Sequence, residues 1–177
     1  RFTTYGLDDL PFTASRLPLT AYRSPLTIHH SPFTIHEMKS SQSHFHDLNG
    51  LRYHVRTWGE AGRPQLFLLH GWMDVSASFQ FLVDCFQRDW HVIAPDWRGF
   101  GLSGWAQGSY WFPDYYADLD ALVRLYQPDA PITLIGHSMG GNIAGTYAGL
   151  RPERISKLVT LEGMGLPRMS PDIAPKR

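Results

Sequence analysis

Ser138 stands in Gly136-His137-Ser138-Met139-Gly140, with a glycine two residues to either side. This G-x-S-x-G pattern follows a short apolar run, 132–135, and opens a stretch rich in small residues, 140–150. Strand, tight turn and helix in that order lift a serine hydroxyl clear of a sheet, where it can attack a carbonyl. Glycine is required at 136 and 140 because side chains there would collide with neighbouring backbone. The Met139 N–H, at the start of the helix, would face negative charge developing on the attacked oxygen. The chemistry predicted is nucleophilic acyl transfer through Ser138.

A second glycine motif, His70-Gly71-Trp72, ends the apolar run 65–69. Gly71 lets that loop approach, so that the Trp72 N–H completes an oxyanion hole with Met139. The run 91–94 ends in Pro95-Asp96-Trp97-Arg98-Gly99-Phe100-Gly101-Leu102-Ser103. Asp96 and Arg98 are expected to pair and brace this loop rather than to react.

A serine hydroxyl needs a base near neutral pH. All nine histidines (29, 30, 36, 44, 46, 54, 70, 91 and 137) precede Ser138. His137 adjoins the serine but is expected to point away from its Oγ, and His70 belongs to the oxyanion loop. The base is therefore expected outside these 177 residues. After Ser138 the acids are Glu153, Glu162 and Asp172. Glu162, at the end of the apolar run 155–161, is the candidate acid, with ordering of the pocket as its other possible role.

These motifs need a frame. Alternating runs at 43–47 and 51–58 flank Asn49-Gly50, a strong hairpin signal. Short apolar runs at 65–69, 91–94, 132–135 and 155–161 read as strands buried on both faces. Helical spacing marks 76–87, 114–126 and 140–150. Alternating strands and helices predict an α/β class with a mostly parallel central sheet and helices on both faces. In such sheets chemistry gathers beyond the strand C-terminal ends, where every motif above falls.

HGW, PDWRGFGLS and GHSMGG in this order resemble the α/β-hydrolase superfamily, in particular its single-domain serine hydrolases of esterase and lipase-like type. The resemblance covers roughly residues 44–167. It implies a Ser–His–acid triad in that chain order, a sixth strand at 155–161 and a cap inserted after it. Family members with a covalent aspartyl intermediate, such as epoxide hydrolases and haloalkane dehalogenases, carry Asp where this chain has Ser138. The resemblance does not fix a substrate. A carbon–carbon bond hydrolase, a cofactor-free haloperoxidase and a non-catalytic binding protein of the same fold remain alternatives to an esterase. The chain reads as the N-terminal part of such a hydrolase, with late strands and cap missing and with no triad base of its own.

Composition narrows the field further. Sixteen basic residues balance 16 acidic ones, which disfavours a nucleic-acid or anionic-membrane partner. A small-molecule substrate is expected, with no cofactor, no metal and an oligomeric state left open. The run of apolar residues needed for a membrane span is lacking. A single cysteine, Cys85, excludes an internal disulfide and suits a cytoplasmic setting; it is expected to be buried. Residues 10–37 form four seven-residue units with a proline in each, so 1–37 reads as a low-complexity tract, disordered or not native, ahead of a domain from 38 to 177. His29, His30 and His36 recur with the repeat and need no metal. Trp72, Met73, Trp97, Trp105, Trp111 and Phe112 are candidates either for an apolar acyl pocket or for core packing.

Overall fold

The computed structural model describes residues 38–108 and 110–163. The expectations for the repeat tract and for Asp172 lie outside these residues. Strands β1 (Ser41–Leu48) and β2 (Leu51–Trp58) form the hairpin, with Leu48 opposite Leu51. Both turn residues, Asn49 (φ +50°) and Gly50 (φ +76°), are left-handed, as a two-residue turn matching the strand twist requires. Strands β3 (Gln65–Leu69), β4 (His91–Pro95), β5 (Ile132–His137) and β6 (Ile155–Leu161) run parallel. The sheet order is β1-β2-β4-β3-β5-β6, with β2 antiparallel to β4.

Among the described residues three α-helices cover the sheet: α1 (Gln80–Asp84), α2 (Phe112–Tyr126) and α3 (Met139–Leu150). The alternation of β3 sends Phe67 and Leu69 to the face under α2 and α3, and Leu66 and Leu68 to the face under α1. All four are buried, which explains the unbroken apolar run. From β3 the chain winds outward to β4, then crosses back to β5 on the other side of β3. The C-terminal ends of β3 and β5 therefore lie side by side where the winding reverses, the crevice in which open α/β sheets bind ligands. No helix among the described residues is long and apolar enough to cross a membrane.

Three expectations need correction. The helix expected over 76–87 is a 3₁₀ turn, Ser76–Phe79, followed by the short α1. Its last turn tightens, with Cys85 N–H donating to the Leu82 carbonyl. Lys39 bonds to that end: its N–H donates to Asp84 Oδ1 (2.8 Å) and its Nζ to the Phe86 carbonyl (2.6 Å). Cys85, the C-cap residue of this helix, is exposed rather than buried. Asp96 and Arg98 do not pair: each is taken by a partner from another element.

Arg98 reaches α2, donating Nε and Nη2 to Asp118 Oδ2 (2.6 Å) and Oδ1 (2.8 Å). Tyr53 O–H and Asn49 Nδ2 donate to the same carboxylate at 2.6 and 2.8 Å. Asp118 thus ties the hairpin, the β4 loop and α2 together with both oxygens satisfied in a buried position. Asp118→Ala leaves the Arg98 cation without its main partner. An expected loss of about 3–5 kcal/mol of stability follows, read from urea unfolding.

Candidate active site

Ser138 is the N-cap of α3, with φ +50° and ψ −117°. A residue with a Cβ rarely adopts this conformation, and it persists only where its surroundings impose it. The expected steric reason holds. A Cβ at Gly136 would lie 2.3 Å from the Gly140 carbonyl oxygen, and one at Gly140 would lie 2.3 Å from the Leu69 carbonyl oxygen. β5, the start of α3 and the end of β3 are thus in contact through backbone. The Ser138 N–H donates to the Leu161 carbonyl (2.9 Å), tying the turn to the end of β6.

Gly71 brings the loop after β3 against this turn. A Cβ there would lie 3.1 Å from Ser138 Cβ and 3.1 Å from His137 Nδ1. Trp72 follows Gly71 in that loop, and Met139 opens α3. The first N–H groups of a helix have no intrahelical acceptor, so Met139 suits an anion-facing role.

His70 is buried and committed to structure. Its Nε2 accepts the Trp97 N–H (2.9 Å), and its Nδ1–H donates to the Gly71 carbonyl (2.7 Å). A carbonyl only accepts and a backbone N–H only donates, so the ring is the neutral Nδ1–H tautomer. Burial lowers its pKa, partly offset by the Gly71 hydrogen bond and the Asp96 and Asp74 charges. Among the described residues no histidine hydrogen-bonds Ser138 Oγ. Glu162 follows β6 directly, next to the residue that holds the Ser138 N–H; it is exposed, with φ +48°.

Asp96 is buried at the end of β4 and accepts the Ser76 N–H (2.7 Å), a His54 ring N–H (2.8 Å) and the Leu102 N–H (2.9 Å). Burial alone would raise its pKa, but these hydrogen bonds outweigh it and hold the carboxyl below its usual range. A Cβ at Gly101 (φ +54°) would lie 2.1 Å from Asp96 Oδ2, so only glycine fits there. Of the candidate pocket aromatics, Trp97 is fully buried in the core. Trp72, Met73, Trp105, Trp111 and Phe112 are exposed in or beside the loops beyond the strand ends. No group of three or more His, Cys, Asp or Glu among the described residues could hold a metal.

The roles of Asp118 and His54 escaped the sequence reading. A signal existed for the first: Asp118 stands in the apolar stripe of α2 beside Leu119 and Leu122, where an acid requires a cation. His54 gave none, because its partner lies 42 residues away.

A model of the alpha/beta hydrolase fold matches residues 64–176, and the chain belongs to that family. It is 42% identical over 113 residues to the serine hydrolase-like protein of Danio rerio, covering 62% of this chain and 34% of that protein. It is 37% identical over 116 residues to epoxide hydrolase 4 of Mus musculus, covering 64% and 32%. The chain thus spans about a third of these curated relatives. The haloalkane dehalogenase DbeA of Bradyrhizobium elkani superposes with a TM-score of 0.65 at 28% identity, over 70% of this chain and 42% of that one.

Burial also lowers the pKa of His46 and His91, each further depressed by the nearby His44. Unfolded histidine titrates near 6.5. With His46, His70 and His91 lowered in the fold, the unfolded chain binds more protons below that pH. Their contribution is complete above about 6.5 and is lost as the pH falls through the folded values. The urea midpoint should therefore drop between pH 7 and pH 5.5, and an unchanged or higher midpoint at pH 5.5 would contradict this.

Proposed function

We propose that this chain carries the nucleophile of a serine hydrolase acting on a small, fairly apolar ester or related acyl compound. The observation that supports this most is the Ser138 backbone, held in a strained turn at the head of α3 with Gly71 packed against its Cβ. A binding scaffold has no use for that strain. Ser138 Oγ attacks the acyl carbon, and the Trp72 and Met139 N–H groups receive the developing oxyanion. The hydroxyl proton passes to a histidine from outside the described residues, which then protonates the leaving alcohol; Glu162 is the candidate acid behind it. Water hydrolyses the acyl-enzyme by the reverse sequence.

The similarity to an epoxide hydrolase and a haloalkane dehalogenase does not redirect this reading. A route through a covalent aspartyl ester needs a carboxylate at the elbow, and this chain places a hydroxyl there. The exposed Trp72, Trp105 and Trp111 favour an apolar acyl group. In the whole protein, Ser138→Ala should lower hydrolysis of p-nitrophenyl esters on the order of 10⁵–10⁶-fold. Its circular dichroism and urea midpoint should stay close to those of the parent. Hydrolysis undiminished in that variant would sink the assignment.

A further inference from the structure

A second serine is linked to a histidine and an acid at the opposite side of the sheet. β1 and β2 are separated from β5 by β4 and β3. Phe45 on β1 stands opposite His54 on β2, so Ser43, two residues earlier, is a diagonal neighbour of His54 on the same face. Ser43 Oγ lies 3.0 Å from His54 Nε2, and His54 Nδ1 lies 2.8 Å from Asp96 Oδ2.

The proton positions follow from the partners. Asp96 is a carboxylate and only accepts, so the proton of a neutral His54 sits on Nδ1. Nε2 is then bare, and the Ser43 O–H must donate to it. The side chains of His54 and Asp96 are 0% and 3% exposed, whereas Ser43 is exposed. The hydrogen bonds thus run from a hydroxyl at the surface to a buried imidazole and a buried anion. This is the polarity that activates a serine. Arg56 stands directly opposite Ser43 in the β1–β2 register, with Nη1 donating to Ser41 Oγ (2.9 Å). Its buried Nε has no hydrogen-bond partner. The Arg56 cation thus crosses from β2 to the strand that carries the hydroxyl.

We propose that Ser43, His54 and Asp96 form a second reactive-serine site that takes small activated acyl or phosphonyl electrophiles. It is independent of any activity at Ser138. Ser43 Oγ forms a bond to the electrophilic carbon or phosphorus while its proton moves to His54 Nε2. Asp96 steadies the imidazolium, and Arg56 favours the oxygen that gains negative charge. The leaving group departs with its bonding electron pair, and His54 returns the proton to water.

The test uses the full chain carrying Ser138→Ala, which removes the elbow hydroxyl, and an alkyl fluorophosphonate. Reaction forms the Ser43 O–P bond and releases fluoride. Peptide mass spectrometry should find the adduct on Ser43, formed about a hundredfold faster in the folded chain than in urea, the scale of general-base assistance. Adding His54→Gln should remove that enhancement, and adding Arg56→Gln should reduce it severalfold. A folded chain in which Ser43 reacts no faster than in urea, or a folded His54→Gln variant that reacts equally fast, would overturn the proposal. Should His54→Gln fail to fold, the folded-against-urea comparison decides alone.

Discussion

The backbone of Ser138 sits at φ +50° and ψ −117°, a conformation of a kind that costs on the order of 1–3 kcal/mol and relaxes unless its neighbours forbid it. Much of the described structure acts to forbid it. Gly136 and Gly140 let β5, α3 and β3 meet backbone to backbone, so the turn has no room to open. The Ser138 N–H is fixed to the end of β6, and the Gly71 loop closes from the side of β3. The strain is held by packing between parallel strands whose ends are adjacent because the winding reverses between them.

The second constraint is electrostatic. Two buried carboxylates, Asp96 and Asp118, anchor the long loop after β4 from opposite faces of the sheet. Asp96 gathers donors from β2, from the turn before α1 and from its own loop. Asp118 gathers donors from the hairpin and from Arg98. Both sites exclude water and satisfy the anion with several donors, the condition under which a buried charge stabilises a single arrangement. His70 joins the two halves of the candidate site, since one ring bonds the loop after β3 to the loop after β4.

The sheet and the serine turn were legible in the sequence because both are local in origin. Apolar runs of strand length, Asn49-Gly50, and glycines at two-residue distance from Ser138 each announce their structure over a few residues. The polar pairings were not legible in the same way. Asp96 and Arg98 stand two apart and suggested a pair, yet their partners come from β2 and α2, which only the fold brings close. The helix expected to run to 87 falls short, its end closing in N–H bonds from Cys85 and Phe86 to the carbonyls three residues back. Cys85, the C-cap residue of that helix, is exposed.

Rapid acid quenching of the full chain during incubation with p-nitrophenyl butyrate, followed by peptide mass spectrometry, tests the central claim most directly. The account predicts a butyryl ester on the peptide containing Ser138, absent when the protein is unfolded before the ester is added. A Ser138 peptide that stays unmodified at every quench time would contradict it.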